Sequence, residues 1–144
     1  MKSKYFVIKE LVSKQVYEKY GEGAWKFIDE KLIITLDQIR KFFGKPVLVN
    51  SYGRGLEQRG LRANCDYLVK DKTDKGILYV SQHVLGKGAD LNVIGLSVPT
   101  TYQAIIDNQD KFPYLKRMEN IKLTPTWIHI DVANTESEEL EIFG

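Results

Sequence analysis

The stretch Ser81-Gln82-His83-Val84-Leu85-Gly86-Lys87-Gly88-Ala89-Asp90 holds one of only two histidines in a chain of 144 residues. The other lies in Trp127-Ile128-His129-Ile130-Asp131. Two imidazoles and one carboxylate make a common open zinc set, with a coordination position left for water. Nitrogen and carboxylate oxygen donors suit a borderline cation. The local pattern places His83 at the end of a strand, and Gly86 and Gly88 permit a tight reversal. Asp90 then opens the next strand, beside His83. Alternation along the second stretch puts Trp127, His129 and Asp131 on one strand face. His129 joins the pair only if its strand neighbours that of Asp90. From the residues alone, two unrelated histidines in ordinary hydrogen bonds remain the competing reading.

Working outward, Glu10 to Phe43 carries a helical pattern. Leu11, Val12, Val16 and Tyr20 recur at three-to-four spacing before Gly21-Glu22-Gly23 interrupts. Trp25, Ile28, Leu32, Leu36, Ile39 and Phe43 line one face of a second helix, a core stripe, and Gly44 with Pro46 stops it. Lys45–Asn50 reads as a short buried strand, Ser51–Asp74 as a long polar loop, and Gly76–Val80 and Ala89–Val93 as strands. Pro99–Asp110 reads as a helix, and Lys116–Lys122 and Trp127–Val132 as the last strands. The acidic tail Glu136–Gly144 is expected to be loosely held. The sum is an α+β class in one domain, residues 1–144, with N-terminal helices packed on a mainly antiparallel sheet.

Composition narrows the partners. With 21 basic and 19 acidic residues the net charge is +2, too balanced to argue for nucleic acid. The lone Cys65 excludes an internal disulfide and a thiolate zinc site, and reads as a small buried or half-buried thiol. Tyr5-Phe6-Val7-Ile8 is too short for a signal-peptide core, and no run nears the roughly 20 apolar residues of a membrane span. The expectation is synthesis in the cytoplasm, no membrane partner and an oligomeric state that is unreadable.

Ser81-x-His83-x-x-Gly86-x-Gly88-x-Asp90 resembles the Ser-x-His-x-x-Gly-x-Ala-x-Asp signature of the zinc D-Ala-D-Ala carboxypeptidases and L-alanyl-D-glutamate endopeptidases. These share a fold with the hedgehog signalling domain. Gly88 stands where the family usually has alanine. Trp127-Ile128-His129 is similar to the family's Trp-x-His segment, and Ser51-Tyr52-Gly53-Arg54 to its Ser-x-x-Arg segment. The likeness extends over nearly the whole chain and is nearest to the short peptidases of bacteriophages. It implies a hedgehog-type peptidase fold, Zn2+ held by His83, Asp90 and His129, and hydrolysis of a peptide bond in peptidoglycan stem or cross-link peptides. Release to the cell wall during phage-type lysis would bring such an enzyme to its substrate. A catalytically weak wall-binding or virion-associated domain of the same fold is the alternative.

A zinc-assisted hydrolysis needs a carboxylate to move a proton. Many family members carry glutamate three residues before the last histidine ligand, but position 126 here is Thr. Asp131, on the face of His129, is the expected base. It could instead orient a histidine or sit on the surface, and Glu119 is the reserve. Arg54 best matches the family's arginine, which holds a substrate carboxylate or developing oxyanion. Arg59 and Arg62 lie in the same loop and could do this instead. Ser81 is expected to fix the loop or contact substrate without acting as nucleophile. Trp127 either walls the site or packs in the core.

Overall fold

Asp29 begins the helix that carries much of the core. Its side chain accepts from the Lys31 amide at 2.8 Å, satisfying one of the free N–H groups of the first turn. In the computed structural model, which describes residues 1–144, this helix (α2) spans Glu30–Phe43 and ends on Gly44 at φ 62°. Leu32, Ile33, Leu36 and Ile39 are buried from it. Trp25 and Ile28 belong to the same core, but Gly21–Phe27 forms 3-10 turns before the helix starts. Helix α1 covers Lys14–Tyr20 and is capped by Ser13. Helix α3, Tyr67–Asp74, lies within the segment expected to be loop. Helix α4 covers Val98–Asp107, with Ser97 as its cap.

Five strands form one mixed sheet in the order β1-β2-β4-β3-β5. They are Val47–Leu48 (β1), Gly88–Val93 (β2), Arg117–Glu119 (β3), Ile128–Asp131 (β4) and Glu141–Phe143 (β5). All neighbours are antiparallel except β3 and β5. Three expectations are corrected here. Gly76–Val80 joins no strand, and the acidic tail ends in β5, paired through Met118 with Ile142 and Glu119 with Phe143. Cys65 is exposed, not buried. No helix is long and apolar enough to cross a membrane.

Alternation along the two central strands divides the molecule. Ala89, Leu91 and Val93 of β2, with Ile128 and Ile130 of β4, join the core. Each large aliphatic side chain removed from water contributes about 1.5–3 kcal/mol. Asp90, Asn92, His129 and Asp131 therefore fall on the opposite face. A one-residue slip of either strand would invert both faces, so the apolar pattern itself holds the polar residues in register.

The turn ahead of β2 is pinned by Gly86. Its φ is 70°, and a Cβ there would lie 2.0 Å from the Phe27 carbonyl oxygen. Its own carbonyl accepts from the Asp29 amide at 2.9 Å, tying the turn to the start of α2. Gly86→Ala adds both a strained backbone and a clash, and is expected to cost more than about 2 kcal/mol. A thermal midpoint lowered by at least about 5 °C is the check; an unchanged midpoint would show the turn to be dispensable.

Candidate metal centre

Antiparallel pairing of β2 with β4 sets Asp90 directly opposite His129. Asp90 Oδ1 lies 2.9 Å from His129 Nδ1 and 3.3 Å from His83 Nε2. His83 comes from the turn, where the Lys87 and Gly88 amides both donate to the Gln82 carbonyl. The three side chains are buried, and one donor atom from each lies within 4.8 Å of the others. Donors bonded at 2.0–2.2 Å around a tetrahedral ion sit about 3.4 Å apart, close to the separations of Asp90 Oδ1 from the two rings, so the group could hold a metal ion.

Two further hydrogen bonds fix which ring nitrogens face this point. His83 Nδ1 lies 2.9 Å from the Gly60 carbonyl oxygen, an acceptor only, so that nitrogen donates and Nε2 is the one that faces Asp90. His129 Nε2 donates to Asp131 Oδ2 at 2.9 Å, which leaves Nδ1 as the inward donor. Asp131 is fully buried. It also takes Arg117 in a two-pronged pair, Nε to Oδ1 at 3.0 Å and a terminal nitrogen to Oδ2 at 2.9 Å, and accepts from the Ala133 amide. Phe143 of β5 lies under this chain, its ring centre 4.3 Å from Arg117 Cζ and 5.6 Å from the His129 ring. Gly60 must be glycine, because a Cβ there would lie 2.3 Å from the Leu11 carbonyl oxygen.

Burial alone would lower the pKa of His129, but hydrogen bonds to Asp131 and Asp90 outweigh it and push the ring up to about 9. Burial opposes the charge on Asp90 likewise, yet hydrogen bonds from His129 and His83 hold its carboxyl well below the usual range. In the metal-free protein a proton on His129 Nδ1 thus stands where a cation would bind. Below that pKa of about 9 a metal must displace this proton, so zinc affinity is expected to fall with pH, by up to about tenfold per unit. Chelator competition at pH 6, 7 and 8 measures it; a flat profile would count against His129 as a ligand.

A cavity of about 450 Å³ opens over the three residues, lined also by Arg62, Ser81, Arg117, Glu119, Trp127 and Phe143. Ser81 accepts from the Val84 amide and shapes the turn. Trp127 is half-buried and forms a wall. Glu119 is half-buried, with no hydrogen-bond partner. Asp131 lies behind His129 and does not reach the cavity wall.

The loop arginines divide. Arg54 sits exposed in a 3-10 turn, Tyr52–Arg54, and lines neither this cavity nor its neighbour. Arg62 is the arginine at the centre. Its terminal nitrogens lie 2.9 Å from the Tyr79 hydroxyl and 3.5 Å from Asp90 Oδ2, and its Nε donates to the Gln58 carbonyl. Arg117, Phe143, Tyr79 and Gly60 went unnoticed in the sequence. Only Arg117 left a signal there: it alternates with Glu119 around the apolar Met118, which puts both on one strand face.

Compared with protein-family models, with curated proteins and with solved structures, the chain gives no match.

Proposed function

We propose that this chain is a zinc metallopeptidase of the hedgehog and D-Ala-D-Ala peptidase type, cutting an amide bond in peptidoglycan stem or cross-link peptides in wall lysis or remodelling. The observation that supports the metal reading is the convergence of one nitrogen of each ring on the same carboxylate oxygen, the other nitrogen of each being held from behind by Gly60 or Asp131. The resemblance of Ser81–Asp90 to the peptidase signature carries the choice of substrate.

Bound there, zinc supplies a Lewis acid for the peptide carbonyl and acidifies a water at the open position. Glu119, unpaired on the cavity wall, takes the proton of the attacking water and returns it to the leaving amine nitrogen. The carbon–oxygen bond forms, the carbon–nitrogen bond breaks, and acid and amine leave. Arg62 offers fixed positive charge to the oxygen on which negative charge develops. Asp131, braced by Arg117, holds the ring of His129. This reading moves the base from Asp131 to Glu119, because every near neighbour of Asp131 is already a donor to it.

Muropeptide analysis of purified walls treated with the zinc-loaded chain tests the proposal. New amine ends and shortened stems are expected, and none with His83→Ala. Wild type and variant giving the same profile would remove the peptidase reading. Retained binding to walls without turnover would favour the alternative, a wall-binding domain, which the absence of glutamate at position 126 makes worth separating.

A further inference from the structure

Little fastens β5 to the rest of the molecule. Residues 132–140, which lead into it, contain no helix or strand, and 134 and 136–139 are exposed. The strand has three residues and one neighbour, β3. At its two ends the Glu141 amide donates to the Lys116 carbonyl at 2.9 Å, and the Asn120 amide to the Phe143 carbonyl at 2.8 Å. Leu140 packs against the core, whereas Ile142 is exposed. A short edge segment with few buried contacts opens locally at far less cost than the whole fold.

Phe143 is what this strand brings to the metal centre. Register sets it beside Glu119, on the cavity face of the sheet. The Arg117 guanidinium lies over its ring, with Cζ 4.3 Å from the ring centre, and the His129 ring meets it nearly at right angles, 5.6 Å away. A guanidinium stacked on an aromatic face keeps its in-plane donors free for a carboxylate. Those donors grip Asp131, and Asp131 Oδ2 holds His129 Nε2. With β5 away, Arg117 gains rotamers and the brace behind His129 slackens. An ion at the centre needs His129 Nδ1 aimed at it, so it binds the docked form better than the open one. A ligand with different affinities for two forms shifts their balance, and the coupling is reciprocal.

We propose that β5 is a latch on the metal centre, with Phe143 as a positioning residue for His129. Docking of β5 tightens zinc binding, and bound zinc in turn holds β5 down. This inference rests on the metal part of the reading above and not on the substrate.

Zinc affinity of the full chain is measured by chelator competition, with the fold of each variant checked by circular dichroism. Phe143→Ala is expected to weaken binding by about threefold to tenfold, because it acts on His129 only through Arg117 and Asp131. Phe143→Tyr, which keeps the ring face, should restore the affinity of wild type. Ile142→Ala, on the other face of β5, is the control and should change it by less than about twofold. Wild-type affinity in Phe143→Ala, or an equal loss in Ile142→Ala, overturns the positioning role. Hydrogen exchange at the Glu141 and Asn120 amides reads the coupling in reverse. Saturating zinc should slow it by about threefold to tenfold in wild type and leave it unchanged in Phe143→Ala. Exchange in wild type that zinc does not move overturns the latch. Zinc bound equally by wild type and Phe143→Ala removes only the latch, whereas no zinc bound by wild type removes the metal reading itself. Coupling through Phe143 in a chain that cuts no wall peptide keeps this inference and removes the peptidase reading.

Discussion

Glu119→Gln is expected to lower kcat by about 100-fold to 10,000-fold, the usual contribution of a positioned general base, with zinc content unchanged. Glutamine keeps the size and polarity of the side chain but has no basic oxygen. The Glu119 side chain makes no hydrogen bond or ion pair, and its backbone pairing with Phe143 does not depend on it, so the substitution disturbs little else. Asp131→Asn is the control that separates the two acids. Asp131 is fully buried, with Arg117 and His129 both on its carboxylate. Its loss should weaken zinc binding by about tenfold to 100-fold, with activity restored as zinc is raised. If Asp131→Asn stays inactive at saturating zinc while Glu119→Gln turns over normally, the base is Asp131 after all.

The second large effect is loss of the metal in His83→Ala. Apparent binding free energies for structural zinc are about 10–16 kcal/mol. Removing one of three ligands, taken as about a third of that, weakens binding by at least about a hundredfold. The fold should survive. His83 lies in a turn whose backbone bonds, Lys87 and Gly88 to Gln82 and Leu85 to Ser81, do not use its side chain. Wild type should unfold at a higher temperature with zinc than without, because a ligand bound only by the folded state stabilises it, and the variant should show no such shift. A full equivalent of zinc retained by His83→Ala under dialysis against chelator would exclude this residue as a ligand.

Local physics made part of this molecule readable in the chain itself. The 3.6-residue stripe of α2 and its Gly44 stop, and the alternation of Ala89–Val93 and Ile128–Asp131, depend on neighbours a few residues apart. So does the reversal at Gly86, where only glycine tolerates both the positive φ and the Phe27 carbonyl. Alternation was enough to put Trp127, His129 and Asp131 on one face. The pairing of Asp90 with His129 across 39 residues was an expectation that register alone could decide.

What folding decided is what lies between distant segments. Three arginines in one loop are equivalent as sequence. Tertiary structure puts Arg54 in solvent, Arg62 against Asp90 and Tyr79, and Arg59 beside Asn92. Asp131 could be base, brace or surface charge until Arg117 of β3 and full burial assigned its partners. The acidic tail gave no periodic signal, yet β5 pairs with β3 because two exposed edges satisfy each other's backbone groups, and that pairing brings Phe143 beneath the candidate metal centre. The three proposed ligands could therefore be named from residue type, spacing and the resemblance, and register brings them together. Which acid stays unpaired on the cavity wall and which arginine lies beside Asp90 are set by burial and by desolvation of charge, quantities that exist only once the chain has closed on itself.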